Sequence, residues 1–230
     1  MKAQEQIRLD VLKRSRLFGG LLPAELKDLI VYSTSVRYDK GASIFKEGDR
    51  ADFFYAVQEG LVKLYKGTFS GKHFTFTVAG PSDTLNATAV SGDNYFMSAQ
   101  ALNEVVLLRI GRTPYLAFLS KHHTVALELI AMLARRLNRE CDRVVGLLGE
   151  DVEHRLLISL FTLARKFGTS LSLTREELAS CAGTTTETAI RVLSRLKKQG
   201  IISGTAERGG IIITDLTKLQ KLVAENEGWI

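Results

Sequence analysis

The feature that most narrows the fold of this chain is a seam. Leu127, Ile130, Ala134, Leu137, Cys141, Val144 and Leu148 recur at alternating steps of three and four residues between Thr124 and Leu148. That spacing is a heptad stripe along one α-helix. A helix resting only on its own domain needs no stripe this narrow or this long. The pattern predicts a parallel dimer, with these seven residues between the subunits. The other faces carry Arg135, Arg136, Arg139, Glu140, Asp142 and Arg143, as a solvated helix surface would.

Gly149-Glu150-Asp151 interrupts the seam, and Asp151 is a plausible N-cap for a helix over 152–167 that Gly168 ends. Beyond it, Leu173 to Gly200 reads as two short helices and a tight turn. Thr174 with Glu177 three residues on forms a capping box. Gly183 stands at the turn, where glycine alone bends the chain without steric cost. Thr185 is the favoured cap of the second helix. Ala189, Val192, Leu193 and Leu196 give that helix one apolar face, so Glu187, Ile190, Arg191 and Ser194 fall on the other. Arginine can bond both acceptors of a guanine edge, and glutamate can accept from a cytosine amino group. This is how a helix-turn-helix offers its recognition helix to a major groove. A solvated Glu–Arg pair is the plainer reading of the same residues, worth only tenths of a kcal/mol. The continuation favours the first. Ile201-Ile202 and Ile211-Ile212-Ile213 bracket a glycine-rich turn from Ser203 to Gly210, a small hairpin in the place of a wing.

Ahead of the seam the texture differs. A helical lead-in over 3–16 is followed by a helix from Ala24 to about Tyr32, after Pro23. From Val36 to Ile110, glycines punctuate short runs rich in β-branched and aromatic residues: Ala42–Phe45, Phe53–Val57, Leu61–Tyr65, His73–Val78, Met97–Leu102 and Glu104–Ile110. Strands at such a spacing predict a small barrel or sandwich. Thr113-Pro114 opens a short helix ending near His122. The chain is therefore expected to be α+β: a β domain over 1–123, a dimerisation helix over 124–148 and a winged helix-turn-helix over 149–230.

Composition bounds the partners. The 230 residues carry a net charge of +6, which suits a polyanion without identifying one. Residues 1–151 and 152–230 are each +3, so charge alone would not find a DNA-binding half. Two distant cysteines, Cys141 and Cys181, make neither a disulfide framework nor a zinc set, and they suit a reducing compartment. No apolar run approaches a membrane span, and MKAQEQIRLD lacks a signal core. A cytoplasmic location without membrane association is expected. No nucleophile–base pair or phosphate-gripping glycine loop is visible, so catalysis is not expected. A metal enzyme of the cupin type would need more histidines than His73 in the β region.

With that order in hand, the chain resembles the CRP/FNR family of bacterial transcription regulators over about Leu17 to Leu222. The most specific parts are Leu173-Thr-Arg-Glu-Glu-Leu-Ala, Gly183, and Glu187-Thr-Ala-Ile-Arg191-Val-Leu. Lys40-Gly41, Glu47-Gly48-Asp49 and Glu59-Gly60 look like the family's β-roll turns, and Asp151-Val152 looks like its hinge. The resemblance implies a homodimer on a palindromic operator in double-stranded DNA, with RNA polymerase as a further partner. It assigns the reading of a G·C pair in each half-site to Glu187 and Arg191. Thr186 and Ile190 take the variable neighbouring positions. The expected DNA-facing set is Thr174, Thr185, Thr186, Glu187, Ile190 and Arg191.

The effector is expected in the β-roll, and here the departures matter. Cyclic-AMP binders of the family hold ribose and phosphate with a glutamate and an arginine. The matching stretch, Pro81 to Ala89 running on to Tyr95-Phe-Met-Ser98, lacks the glutamate, and Met97 stands about where the arginine would be. An iron–sulfur sensor commonly needs four thiolates, and two are present. Two readings stay open beside an unknown small-molecule effector. One is a cyclic nucleotide after all. The other is haem sensing a gas, with His73 as ligand. The candidate pocket residues are Phe74, Phe76, Leu85, Met97 and Leu127. Cys141 reads as a small hydrophobe on the seam.

Overall fold

The computed structural model describes residues 2–67, 73–90, 92–149, 151–203 and 210–225. The chain divides into two compact units, one of residues 1–66 and 77–139, the other of 67–76 and 140–230.

In the N-terminal unit, α1 (Lys2–Arg14) and α2 (Pro23–Ile30) precede the strands. Helix α2 stops short of the expected Tyr32. Ser33 donates its hydroxyl to the Ile30 carbonyl at 2.6 Å, and the chain turns directly into β1 (Ser33–Tyr38). This strand was not foreseen as such, because STSVRY has no apolar alternation. Then come β2 (Ser43–Phe45), β3 (Phe53–Glu59), β4 (Val62–Gly67), β5 (His73–Ala79), β6 (Thr84–Leu85), a 3₁₀ turn (Ala87–Val90), β7 (Ser98–Ala101) and β8 (Val105–Gly111). They form two four-stranded sheets of order β1-β8-β3-β6 and β2-β7-β4-β5. The first is antiparallel throughout, with Phe54 opposite Ile110 and Val36 opposite Leu107.

Alternation sends the two sides of β3 and β8 to different surroundings. Phe54, Leu108 and Ile110 join Leu12, Phe18, Leu26 and Leu29 from the first helices. Tyr115 and Phe118 of α3 (Arg112–Lys121) complete this core, with Val125 and Leu129 of α4 (His123–Gly149). Phe54 and Tyr115 stack at 4.4 Å, and Phe18 meets Phe54 edge-on. Elsewhere in the unit, Phe45 stacks on Tyr95 at 4.0 Å and lies 5.8 Å from Tyr55. Burial pushes the Tyr55 hydroxyl far above its ordinary pKa. Gly60 has φ +84, and a Cβ there would lie 2.2 Å from the Glu104 carbonyl oxygen, so this turn admits no side chain.

The C-terminal unit follows its expected order. Asp151 caps α5 (Val152–Phe167) by accepting from the His154 amide at 2.8 Å. Helices α6 (Arg175–Ala182) and α7 (Thr186–Lys198) follow, then β10 (Ile202–Ser203), β11 (Ile211–Ile213) and α8 (Leu216–Glu225). An unforeseen β9 (Ser170–Leu171) makes the sheet three-stranded, in order β10-β11-β9. Two residues are too few to leave a periodic signal. Ile201 is fully buried in the connection between α7 and β10 rather than in the strand. The expected wing tip spans 203–210, of which 204–209 lie outside the described residues. Asp215 caps helix α8, its carboxylate accepting from the Lys218 amide at 2.8 Å.

Among the described residues no single helix is long and apolar enough to cross a membrane; α3 and α4 satisfy that test only as a pair bent by 108°.

Candidate nucleic-acid interface

The interface is built by caps and by one buried helix face. Thr174 Oγ1 accepts from the Glu177 amide at 3.2 Å, and the Thr174 amide donates to Glu177 Oε2 at 2.6 Å. This reciprocal pair satisfies two of the orphan groups at the start of α6. The helix ends at Gly183, whose φ of 64° and ψ of 45° are left-handed. Thr185 then caps α7, its hydroxyl accepting from the Thr188 amide at 3.4 Å. Both capping hydroxyls are therefore already engaged with backbone.

Ala189, Val192, Leu193 and Leu196 are buried against the rest of the unit. A 3.6-residue period then leaves Glu187, Ile190, Arg191 and Ser194 outside, and all four are exposed, Ile190 by 44%. Thr186 is half-buried beside them. The face is thus a carboxylate, a branched apolar side chain and a guanidinium within one turn, at the N-terminal end of a well-anchored helix. Such a face can offer a donor fork, an acceptor and a methyl contact to base edges. Arg195, one turn on, is instead ion-paired with Glu153 of α5. Lys197 and Lys198 are exposed in the last turn, where cations also favour the helix dipole.

Two arginines that the sequence did not single out hold the turn of the motif. Arg155 Nε donates to the Ala182 carbonyl at 3.2 Å, and Arg143 Nη2 donates to the Cys181 carbonyl at 2.6 Å. They serve carbonyls that α6 leaves unpaired at its C-terminus. Burial lowers the pKa of the Arg143 guanidinium, and Glu140 and Cys181 oppose that shift. By spacing, Arg143 was one charged residue among several beside the seam.

The seam residues behave as a set. Leu127, Ile130, Ala134, Leu137, Cys141, Val144 and Leu148 are all exposed in the single chain, Leu137 by 65% and Leu148 by 86%. Val125 and Leu129 are the fully buried residues of the same helix, with Met132 and Leu133 packed partly against the core.

The expected effector-pocket residues fall in both units. Leu85 is fully buried and Met97 nearly so. Leu127 points outward on the seam, 66% exposed. Phe74 and Phe76 belong to the C-terminal unit. The Arg143 guanidinium lies 4.5 Å over the Phe74 ring. His73 is exposed, and its carbonyl accepts from the Ser180 hydroxyl at 2.9 Å. Among the described residues, no three His, Cys, Asp or Glu side chains gather as a metal site.

A glycine-turned β domain joined by a long helix to a winged helix-turn-helix defines an effector-linked DNA-binding regulator. Comparison with known proteins agrees. The Cyclic nucleotide-binding domain matches residues 35–122, and the Crp-like helix-turn-helix domain matches residues 154–222. The "Cyclic AMP receptor protein" of Thermus thermophilus is 34% identical over 202 residues, which are 85% of this chain and 93% of that protein. A "CRP-like cAMP-activated global transcriptional regulator" of Mycobacterium tuberculosis is 27% identical over 221 residues, 92% of this chain and 98% of that protein. The structure of FixK2 from Bradyrhizobium japonicum superposes with a TM-score of 0.73 at 26% identity, covering 83% of this chain and 96% of that one. The chain belongs to the CRP/FNR family of transcription regulators.

Proposed function

We propose that this chain is a homodimeric, sequence-specific transcription regulator that reads one half-site with each α7. The observation that carries the reading is the pairing of faces on α7: the inner face is buried and Glu187, Ile190 and Arg191 stand exposed on the outer one. The seven exposed seam residues supply the dimer, and two-fold symmetry then asks for a palindrome with half-sites about one helical turn apart. RNA polymerase is the further partner that family membership implies, in the cytoplasm. Selection of bound duplexes from a random-sequence pool tests the reading. Enrichment of a two-fold symmetric sequence with one G·C pair fixed per half-site is expected; recovery of unenriched DNA would overturn it.

The effector acts in the N-terminal unit and is neither cyclic AMP nor an iron–sulfur cluster. Two polar side chains of the relevant segment are bonded within the protein. Asp83 Oδ2 accepts from the Gly80 amide at 2.8 Å, and Asn86 Nδ2 donates to the Phe53 carbonyl at 2.8 Å. Buried Met97 offers no donor to a cyclic phosphate, which needs a charged or multiply bonding cradle. Two relatives are named for cyclic AMP, so the contrast is testable. Titration calorimetry with cyclic AMP is expected to show no saturable heat up to about 1 mM, a level at which even −4 kcal/mol of binding would register. A saturable isotherm that also tightens binding to the selected duplex would overturn this. The effector shifts a pre-existing balance between two seam packings, and the balance sets the spacing of the two α7 helices.

A further inference from the structure

Strand β5 is divided between the two units: His73 to Phe76 belong with the C-terminal unit, and the rest of the strand with the N-terminal unit. Within the C-terminal unit, one arginine gathers this strand end and the helix-turn-helix. Arg143 Nη1 donates to the Phe76 carbonyl at 2.7 Å, and Nη2 donates to the Thr75 and Cys181 carbonyls at 2.7 and 2.6 Å. Its plane covers Phe74. The same ring closes on the turn: a Cβ at Gly183 would lie 3.2 Å from Phe74 Cε2 and 3.2 Å from Leu147 Cδ2. Ser180 adds two more ties, sharing a hydrogen bond with Thr75 Oγ1 at 2.8 Å and donating to the His73 carbonyl. Thr75 is buried, 2% exposed, so its hydroxyl depends on that partner.

We propose that Arg143 is a positioning residue for DNA recognition. Its guanidinium ties the His73–Phe76 end of β5 to the α6–α7 turn within one unit, so the setting of the recognition helix depends on that strand end. A planar fork with several donors suits three carbonyls and a ring face at once; a lysine ammonium does not. The clasp holds the turn and leaves Glu187, Ile190 and Arg191 exposed, so it supports reading and does not block it. This rests on the DNA-reading function proposed above.

The test uses the full-length protein with Arg143→Met, Arg143→Lys, Ser180→Ala and Phe74→Leu. In free protein, amide exchange over residues 175–186 is expected to accelerate about tenfold or more in Arg143→Met, with β3 and β8 unchanged. Affinity for the selected duplex should fall about tenfold, with random-duplex affinity unchanged, and Arg143→Lys should recover only part of it. Phe74→Leu should add little in the Arg143→Met background, as coupled contacts do. Ser180→Ala guards against a merely unfolded variant. Alanine is the better helix former, yet operator affinity should drop roughly threefold to tenfold with the two lost bonds. Unchanged exchange and unchanged operator affinity in Arg143→Met and Ser180→Ala would overturn the clasp. A wild-type protein that did not distinguish selected from random duplex would sink the DNA-reading function instead, and the exchange data would still decide whether the clasp exists.

Discussion

Replacing Arg191 by alanine is expected to lower affinity for the selected duplex by roughly 100-fold to 1000-fold while leaving binding to random duplex near the wild-type level. One bidentate arginine–guanine contact contributes about 1–3 kcal/mol of discrimination, and a dimer makes it twice. Arg191 is exposed on α7, away from the buried stripe of Ala189, Val192, Leu193 and Leu196. The helix itself should therefore survive, and alanine favours it slightly. Phosphate contacts and the rest of the basic surface stay in place, so salt-sensitive nonspecific binding persists. Anisotropy titrations on both duplexes at one fixed salt concentration read the difference. An equal loss on random DNA would show that Arg191 contacts backbone and not bases.

Leu137→Glu is expected to separate the subunits and to abolish operator binding with them. Leu137 is the middle residue of the seam and is 65% exposed in the single chain. In a parallel pair it meets its own counterpart. The substitution removes two buried leucines, each worth about 1.5–3 kcal/mol, and sets two carboxylates against each other. Dimer dissociation should rise by at least roughly 1000-fold on that basis. A monomer then loses the gain from engaging two half-sites at once. The folding face of α4, Val125 and Leu129, is untouched, so each chain should keep its thermal transition. Sedimentation equilibrium and anisotropy on the same samples check both parts. A monomer that held the operator with wild-type affinity would rule the dimer scheme out.

What was legible in the sequence had period or chemistry behind it. Helix α7 declared both faces, because its cap, its apolar spacing and its outward Glu–Arg pair agree with one another. The α4 seam was legible for the same reason, since seven residues on one stripe define a surface whatever lies beneath. Strands β1, β6 and β9 were not. The first is mostly polar, and the other two have two residues each. Arg143 was invisible as a functional residue because its role depends on three carbonyls distant in sequence, and carbonyls are the same in every residue. Its contact with the Phe74 ring is one that no spacing in the sequence announces. A run of aromatic residues indicates burial without indicating against what.

The most direct test of the account is a spacing series. Take the selected palindrome, insert five base pairs between its half-sites, and measure affinity beside the parent at the same salt. Five base pairs turn one half-site to the opposite side of the duplex, about half a helical turn away. If two recognition helices are held at a fixed separation by the α4 seam, affinity should fall to the level of random DNA. Undiminished affinity would mean that each chain reads its half-site alone, and the dimeric regulator described here would be contradicted.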